Sequence, residues 1–399
     1  MNRFNELMGT RRRASAAVLT LIVWMGFAAN TKAAPYKPES PDTLLLELDA
    51  SQQQASAKRR AANLQNNKAG AIELAREFVA LGRAHHDERY FGYASAALQR
   101  WQQDAQAPLE VVLLRADIAQ HQHRFNEARI ILDGLLVRDP NQLTARLMRA
   151  ALHMTQGEPH AALQDCQKLF SLREPFAATI CLAHAHSSSG KLDESYRLVS
   201  TMLQQIPPGR RDTQVAWAWG VAADMAQRSG KEEEAEQWLR KALTQDSNDL
   251  VSRLELCDLF LHTQRPNEAL KLLAALPASE PILLRRALGA KQLSAKKVGA
   301  MEVGAKPDLA LAEWRAAVER SERLGITLHL RELARGQLEL LNDPTLALHT
   351  ALKNWEVQRE PVDVRLLVAA ARAAGNAAAL QRVREWQNAL RFEDRSFAL

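Results

Sequence analysis

Cysteine is scarce: Cys166, Cys181 and Cys257 are the only three in 399 residues. Three are too few to build a disulfide scaffold, and no two have the spacing of zinc ligands. Catalytic signatures are missing too. There is no phosphate-cradling glycine loop, no zinc-protease helix and no nucleophile elbow. The acidic run Glu232-Glu233-Glu234 stands at a helix start, where carboxylates offset the helix dipole. Positive charge is thinner than the formal +6 suggests: residues 1–33 hold Arg3, Arg11, Arg12, Arg13 and Lys32 against Glu6, leaving only +2 for the rest. A nucleic-acid-binding surface concentrates Lys and Arg on the folded part, so no nucleic-acid partner is expected. Beyond residue 33 no apolar run approaches membrane length. Strand alternation is absent, and from Ala71 onward the periodicity is helical. An enzyme is not expected, and no cofactor is implied.

What is present begins with a leader. Arg11-Arg12-Arg13 precede an apolar run from Ala14 to Ala29, followed by Asn-Thr-Lys-Ala-Ala-Pro. A charged start, an apolar stretch and small residues at the exit are the parts of a secretory signal. Thr31 and Ala33 fill the two small-residue positions, so residues 1–33 are predicted to be removed after Ala33. The alternative is an uncleaved anchor, although the run is shorter than the ~20 residues of a typical span. Either way the basic flank stays behind and the rest is translocated. No cysteine follows the exit, which excludes a lipoprotein. The predicted location is the periplasm.

Residues 34–70 read as a proline-rich connector and a polar capping helix. Behind them small residues recur. Ala94, Ala128, Ala162, Ser195, Ala235 and Ala269 follow one another at intervals of 34, 34, 33, 40 and 34. Twelve residues before each stands another small residue: Gly82, Ala116, Ala150, Ala183, Ala223 and Cys257. Antiparallel helices approach closely only where neither presents a bulky side chain. Gly157, Gly190 and Gly230 fall between the paired markers, where a tight turn must break the helix. Leu132, Val199, Leu239 and Leu273 follow the second marker by one turn, giving an apolar contact. Pro207-Pro208-Gly209-Arg210-Arg211 accounts for the long step as an inserted loop. Residues 71–277 are thus six helix pairs. Residues 278–307 are predicted to be a loop-rich insertion, and 308–399 two further degenerate pairs with a terminal cap.

Both the period and the residue sizes of 71–277 resemble tetratricopeptide repeats. Arg89-Tyr90-Phe91-Gly92-Tyr93-Ala94, Arg124-Phe125-Asn126-Glu127-Ala128 and Asn354-Trp355-Glu356-Val357-Gln358-Arg359-Glu360-Pro361 with Asp363 resemble, more narrowly, a family of exported bacterial tetratricopeptide proteins. That resemblance implies an all-α, right-handed solenoid in the cell envelope. It brings no assigned activity. It also implies a neighbourhood of membrane proteins related to nickel permeases, hence association with an inner-membrane protein.

The inner faces of the first helices line the concave surface of such an array. By register they carry Arg76, Arg83, Glu110, Asp117, His184, Trp217, Asp224 and Asp258, a groove expected to bind a protein or extended peptide. Trp217 and Trp219 open the same helix, and only one can face inward. Trp219 is assigned to the core, and Trp217 to the groove with core packing as its alternative. The Lys/Asn clamp that holds a chain-terminal carboxylate in some tetratricopeptide proteins is missing here. Two other readings stay open. His86, His121 and His123 could meet at adjoining helix ends and ligate nickel or copper, though His85, His153 and His186 stand where an aromatic usually packs. Alternatively, the chain is a non-catalytic subunit of an envelope enzyme. Cys166 and Cys181 flank the turn near Arg173–Pro175 symmetrically, at one height of an antiparallel pair, and a disulfide is predicted between them with Cys257 left as a packing residue.

Overall fold

The computed structural model describes residue 60 and residues 67–397, apart from 86, 103, 105, 208–212, 296–305 and 324–328. The chain divides into two units, 1–52 and 53–399, and the described residues all belong to the second. The predicted leader, most of the connector and capping helix, His86, and residues 208–211 of the inserted loop lie outside the described residues.

Eighteen α-helices follow one another among the described residues. The first repeats are α1 (Lys68–His85) with α2 (Glu88–Ala97), α3 (Leu109–His121) with α4 (Phe125–Arg138), and α5 (Leu143–Thr155) with α6 (Pro159–Ser171). Next come α7 (Pro175–Ser187) with α8 (Leu192–Gln204), α9 (Thr213–Arg228) with α10 (Glu232–Gln245), and α11 (Leu250–His262) with α12 (Pro266–Leu273). The last are α13 (Glu280–Ala295) with α14 (Pro307–Arg323), α15 (Leu330–Glu339) with α16 (Pro344–Trp355), and α17 (Pro361–Ala373) with α18 (Ala377–Leu390). Each odd helix packs on the even helix after it, and along most of the chain it also touches the next odd helix. The fold is an all-α solenoid of helix pairs.

The small-residue pairs are where the helices meet. All twelve markers are buried. A Cβ on Gly82 would come within 2.8 Å of the Phe91 ring, and the Cys257 thiol lies 3.9 Å from the carbonyl of Ala269. The turns repeat as well. Residues with left-handed φ close the odd helices at His123, Gly157, Gly190, Gly230 and Gln264, at intervals of 34, 33, 40 and 34. Glycine takes that conformation without steric cost. His123 and Gln264 take it with a side chain, so a search for glycine alone finds only the middle three.

One predicted segment is corrected. Residues 280–295, assigned to a loop-rich insertion, form helix α13, with Ile282, Leu283, Leu284, Ala287, Leu288 and Leu293 buried. Gly289, within that segment, is a contact point: a Cβ there would stand 3.0 Å from Leu270. With α13 counted, the tail holds three pairs, and the predicted pairing of its helices shifts by one. Residues 296–305 lie outside the described residues.

The later pairs fold back onto the earlier ones. The Arg359 backbone N–H donates to the Thr155 carbonyl (2.8 Å) and the Arg395 N–H to the Arg228 carbonyl (2.7 Å). Gly157 and Gly190 leave room for this, because a Cβ on either would meet Arg359 or Arg391 at 3.0 Å or less. Arg228 is fully buried beneath the C-terminal segment. Its guanidinium donates to the Ser187 carbonyl (2.9 Å), the Ser187 hydroxyl (2.6 Å) and Asp224 (2.9 Å), and its carbon lies 5.4 Å from the Phe392 ring centroid.

Candidate functional site

The inner stripe begins on α1 and α3. Arg76 pairs with Glu110, and Arg83 donates to Asp117 at 2.6 Å; each pair joins positions 34 residues apart, one repeat to the next. These four predicted groove residues therefore tie neighbouring first helices together. Arg76, Arg83 and Glu110 keep much of their surface in solvent, so each pair contributes modestly, at most about 1 kcal/mol.

The histidines divide. His121 stacks on Phe91, with ring centroids 4.6 Å apart, and lies 3.5 Å from Asp117. His123 instead faces His329, Nε2 to Nδ1 at 2.8 Å. His86 lies outside the described residues. Among the described residues no group of three or more His, Cys, Asp or Glu is placed to hold a metal ion.

On α9 the two tryptophans split as the helical period requires. Trp217 is 36% exposed, while Trp219 is half-buried and packs against the core. Seven residues on, Asp224 shares the stripe of Trp217 and accepts from Arg228. His184, on α7, is half-buried. Burial pushes its imidazole down to about 4, with Arg228 adding to the effect and Asp224 opposing it, so at neutral pH the ring is neutral.

Asp258 is not open groove. Arg285 from α13 and Arg335 from α15 each donate to its carboxylate at 2.6 Å. Burial alone would raise its pKa, but the two guanidiniums outweigh burial and hold it below the ordinary carboxylate range. The arginine set continues: Arg285 also reaches Glu332 (3.2 Å), while Arg331 pairs with Glu360 and with Asp363 (2.6 Å). These arginines join the sixth pair to the seventh and eighth, and the eighth to the ninth.

Two residues of this face escaped the sequence reading. Val251 stands 34 residues after Trp217, at the same place in the next repeat, and is 60% exposed. Glu255, one turn further along α11, is exposed to solvent yet set among protein on most sides. That enclosure, with the charges of Asp224, Asp249, Glu360 and Asp258, pushes its carboxyl up to about 8. Carrying the register step of 34 from Trp217 as well as from Asp224 would have found Val251, and Glu255 lies one helical turn beyond it. Together α9 and α11 present an accessible indole, an accessible valine and a concentration of carboxyls.

Compared with known proteins, residues 226–288 match the family model described as tetratricopeptide repeat. No curated protein matches the chain. Among solved structures it is similar to a tetratricopeptide repeat protein from Parabacteroides merdae, at 14% identity and TM-score 0.35, covering 75% of this chain and 99% of that one. It is also similar to the APC/C hetero-tetramer Cut9-Hcn1, at 15% identity and TM-score 0.42, covering 85% of this chain and 66% of that one. The human IFIT1 dimer with PPP-AAAA follows, at 12% identity and TM-score 0.38, covering 87% of this chain and 96% of that one. Residues 226–288 run from the end of α9 through α10, α11 and α12 into α13, the stretch where small-residue markers, left-handed turn and helix pairing all recur. The same helix-pair construction recurs before and after that stretch, so the chain is an all-α solenoid that carries tetratricopeptide repeats at 226–288.

Proposed function

We propose that the protein is a non-enzymatic scaffold of the bacterial periplasm, holding a protein or an extended peptide against the inner faces of α9 and α11. The observation that carries this reading is the accessible Trp217–Val251 pair, set one repeat apart beside Glu255 and Asp224. An apolar side chain of the ligand would cover the indole and valine, and a neighbouring lysine or arginine would meet the carboxyls. A buried aromatic anchor typically contributes ~2 kcal/mol or more, while charges at the rim act mainly on rate and salt dependence. Photo-crosslinking side chains at 217 and 251 should each capture one and the same partner in intact cells. The same group at Val137, which is 81% exposed on the far side of α4, should not. Trp217→Ala should weaken that capture roughly tenfold or more with the helical circular dichroism unchanged. Capture at 137 but not at 217 or 251 would move the site off this face. A membrane-embedded partner would be recognised directly in the adduct.

The periplasmic part of the proposal is supported by Cys166 and Cys181. Their Cα atoms are 5.4 Å apart across α6 and α7, and the two are joined as a disulfide. Such bonds persist in oxidising compartments and are rare in the cytosol. Cys257 is buried and unbridged, and burial with the charge of Asp258 pushes its thiol up to about 12. Thiol counting on protein taken from its native cells, denatured without reductant, should find one free sulfhydryl; three would remove the support for export.

A further inference from the structure

The later helix pairs meet the turns of the earlier ones in a nearly fixed register. His329 meets His123, Arg359 meets Gly157 and Arg391 meets Gly190, steps of 206, 202 and 201 residues. The first two contacts come from residues that lead into odd helices, α15 and α17. The third comes from chain that is not helical. After α18 the backbone turns at Arg391, which has a left-handed φ, and residues 393–397 continue as a strap.

The strap crosses the end of the inner face. Trp217, Asp224 and Arg228 are separated by seven and four residues, so Arg228 carries the inner stripe of α9 to its last residue. His184 and Ser188 mark the same stripe at the end of α7, 40 residues earlier. Arg228 is fully buried, and its guanidinium donates to the Glu393 carbonyl (3.4 Å) as well as to Asp224 (2.9 Å). The Arg395 N–H returns a bond to the Arg228 carbonyl (2.7 Å). One residue thus holds both a groove carboxylate and the backbone of the strap. Arg395 also pairs with Asp193 of α8 at 2.6 Å, and both side chains are half exposed. On its other side the strap is anchored to its own helix pair: Asp394 accepts from Arg365 of α17 (3.0 Å), and the Phe392 N–H bonds to the Gln387 carbonyl of α18 (2.9 Å).

We propose that the ends of α7 and α9, with Asp193, form a seat for an extended basic segment of the partner, and that residues 393–397 occupy it as a resident competitor. The inference rests on the reading of α9 and α11 as the ligand-binding face. Two main-chain hydrogen bonds and one exposed ion pair hold the strap to the seat, and each is modest. Main-chain bonds give affinity without selecting a sequence, so the side-chain preference lies with Asp193. A ligand that follows the stripe from the Trp217 indole passes Asp224 and then meets the strap. An arginine or lysine further along the ligand replaces Arg395 at Asp193, and its backbone takes over the two partners on Arg228. The buried guanidinium therefore keeps its full set of acceptors throughout the exchange. Being tethered, the strap meets the seat at an effective concentration on the order of millimolar. It raises the threshold for any ligand that reaches past Asp224, and a short ligand confined to Trp217 and Val251 does not feel it.

The test uses the full chain and a fluorescent peptide with the sequence of residues 391–397, Arg-Phe-Glu-Asp-Arg-Ser-Phe. Arg395→Glu is an exposed change that sets like charges against each other at Asp193 and frees the seat. Fluorescence anisotropy should show the peptide binding Arg395→Glu at least tenfold more tightly than the parent, with circular dichroism at 222 nm unchanged. Adding Asp193→Arg restores an opposite-charge pair for the strap, so peptide affinity should fall back to the parent level. In intact cells, capture from a photo-crosslinker at 217 should rise several-fold in Arg395→Glu and return with Asp193→Arg. Equal peptide affinity in parent and Arg395→Glu, or uptake by neither, would overturn the seat. Tighter peptide binding with unchanged capture at 217 would overturn its continuity with the groove and leave the groove itself standing. Absence of capture from both 217 and 251 would instead count against the scaffold reading, and the peptide titration would still decide the seat.

Discussion

Asp258→Ala is expected to destabilise the chain by about 3–5 kcal/mol, the range found when one partner of a buried ion pair is removed. The aspartate is the joint acceptor of Arg285 and Arg335, each at 2.6 Å. Arg285 is buried, and Arg335 is mostly so. Without the carboxylate, both guanidiniums keep their other partners, Glu332 and Glu339, but lose the group that neutralises them together. Asp258→Asn keeps an acceptor oxygen and removes the charge, so it should fall between parent and alanine. Because Asp258 is held below the ordinary carboxylate range, its contribution is present above that range and fades only as pH falls through the lowered value. Urea unfolding at pH 7, followed at 222 nm, measures the loss. A midpoint for Asp258→Ala within about 0.5 kcal/mol of the parent, the size of an ordinary surface substitution, would mean that the network contributes nothing. Asp258 would then act as an open groove residue, the role its sequence position alone suggests.

That contrast marks how far the sequence could be read. Period, residue size and turn chemistry are local, so Gly82 with Ala94 through to Cys257 with Ala269 announce six helix pairs before any coordinates exist. The Cys166–Cys181 bridge follows from the same antiparallel register. The split between Trp217 and Trp219 follows from 100° of rotation per residue. None of this says what the seventh, eighth and ninth pairs touch. Arg335 and Asp258 lie 77 residues apart, and His123 and His329 lie 206 apart. Neither contact leaves a periodic trace, because each joins different repeats through unlike residues. The misread segment has a local cause. Helix α13 is buried on nearly every side, with Arg285 among leucines, so it lacks the one-sided stripe by which a surface helix is recognised. Two glycine-containing phrases near its end then read as loop.

Gly336→Ala should also destabilise, although helix propensity alone favours alanine over glycine by about 1 kcal/mol. Gly336 lies within α15 and is covered by Trp314 of α14, whose side chain is fully buried. A Cβ at 336 would stand 2.2 Å from the indole Cζ2 and 2.3 Å from Cη2. That is far inside van der Waals contact, and the neighbour is a rigid ring rather than the end of a flexible chain. Overpacking of this kind typically costs ~1–3 kcal/mol, enough to reverse the propensity gain. Trp314→Ala should cost more, ~3–5 kcal/mol, because it opens a cavity between the seventh and eighth pairs. The two changes meet at one point, so they should not add. Gly336→Ala combined with Trp314→Leu should be less destabilised than the sum of the singles, since the methyl enters space the smaller side chain vacates. Urea midpoints of the four proteins decide it. If Gly336→Ala is neutral or stabilising in the parent, α15 does not approach α14 this closely, and the docking of the last pairs must be drawn differently.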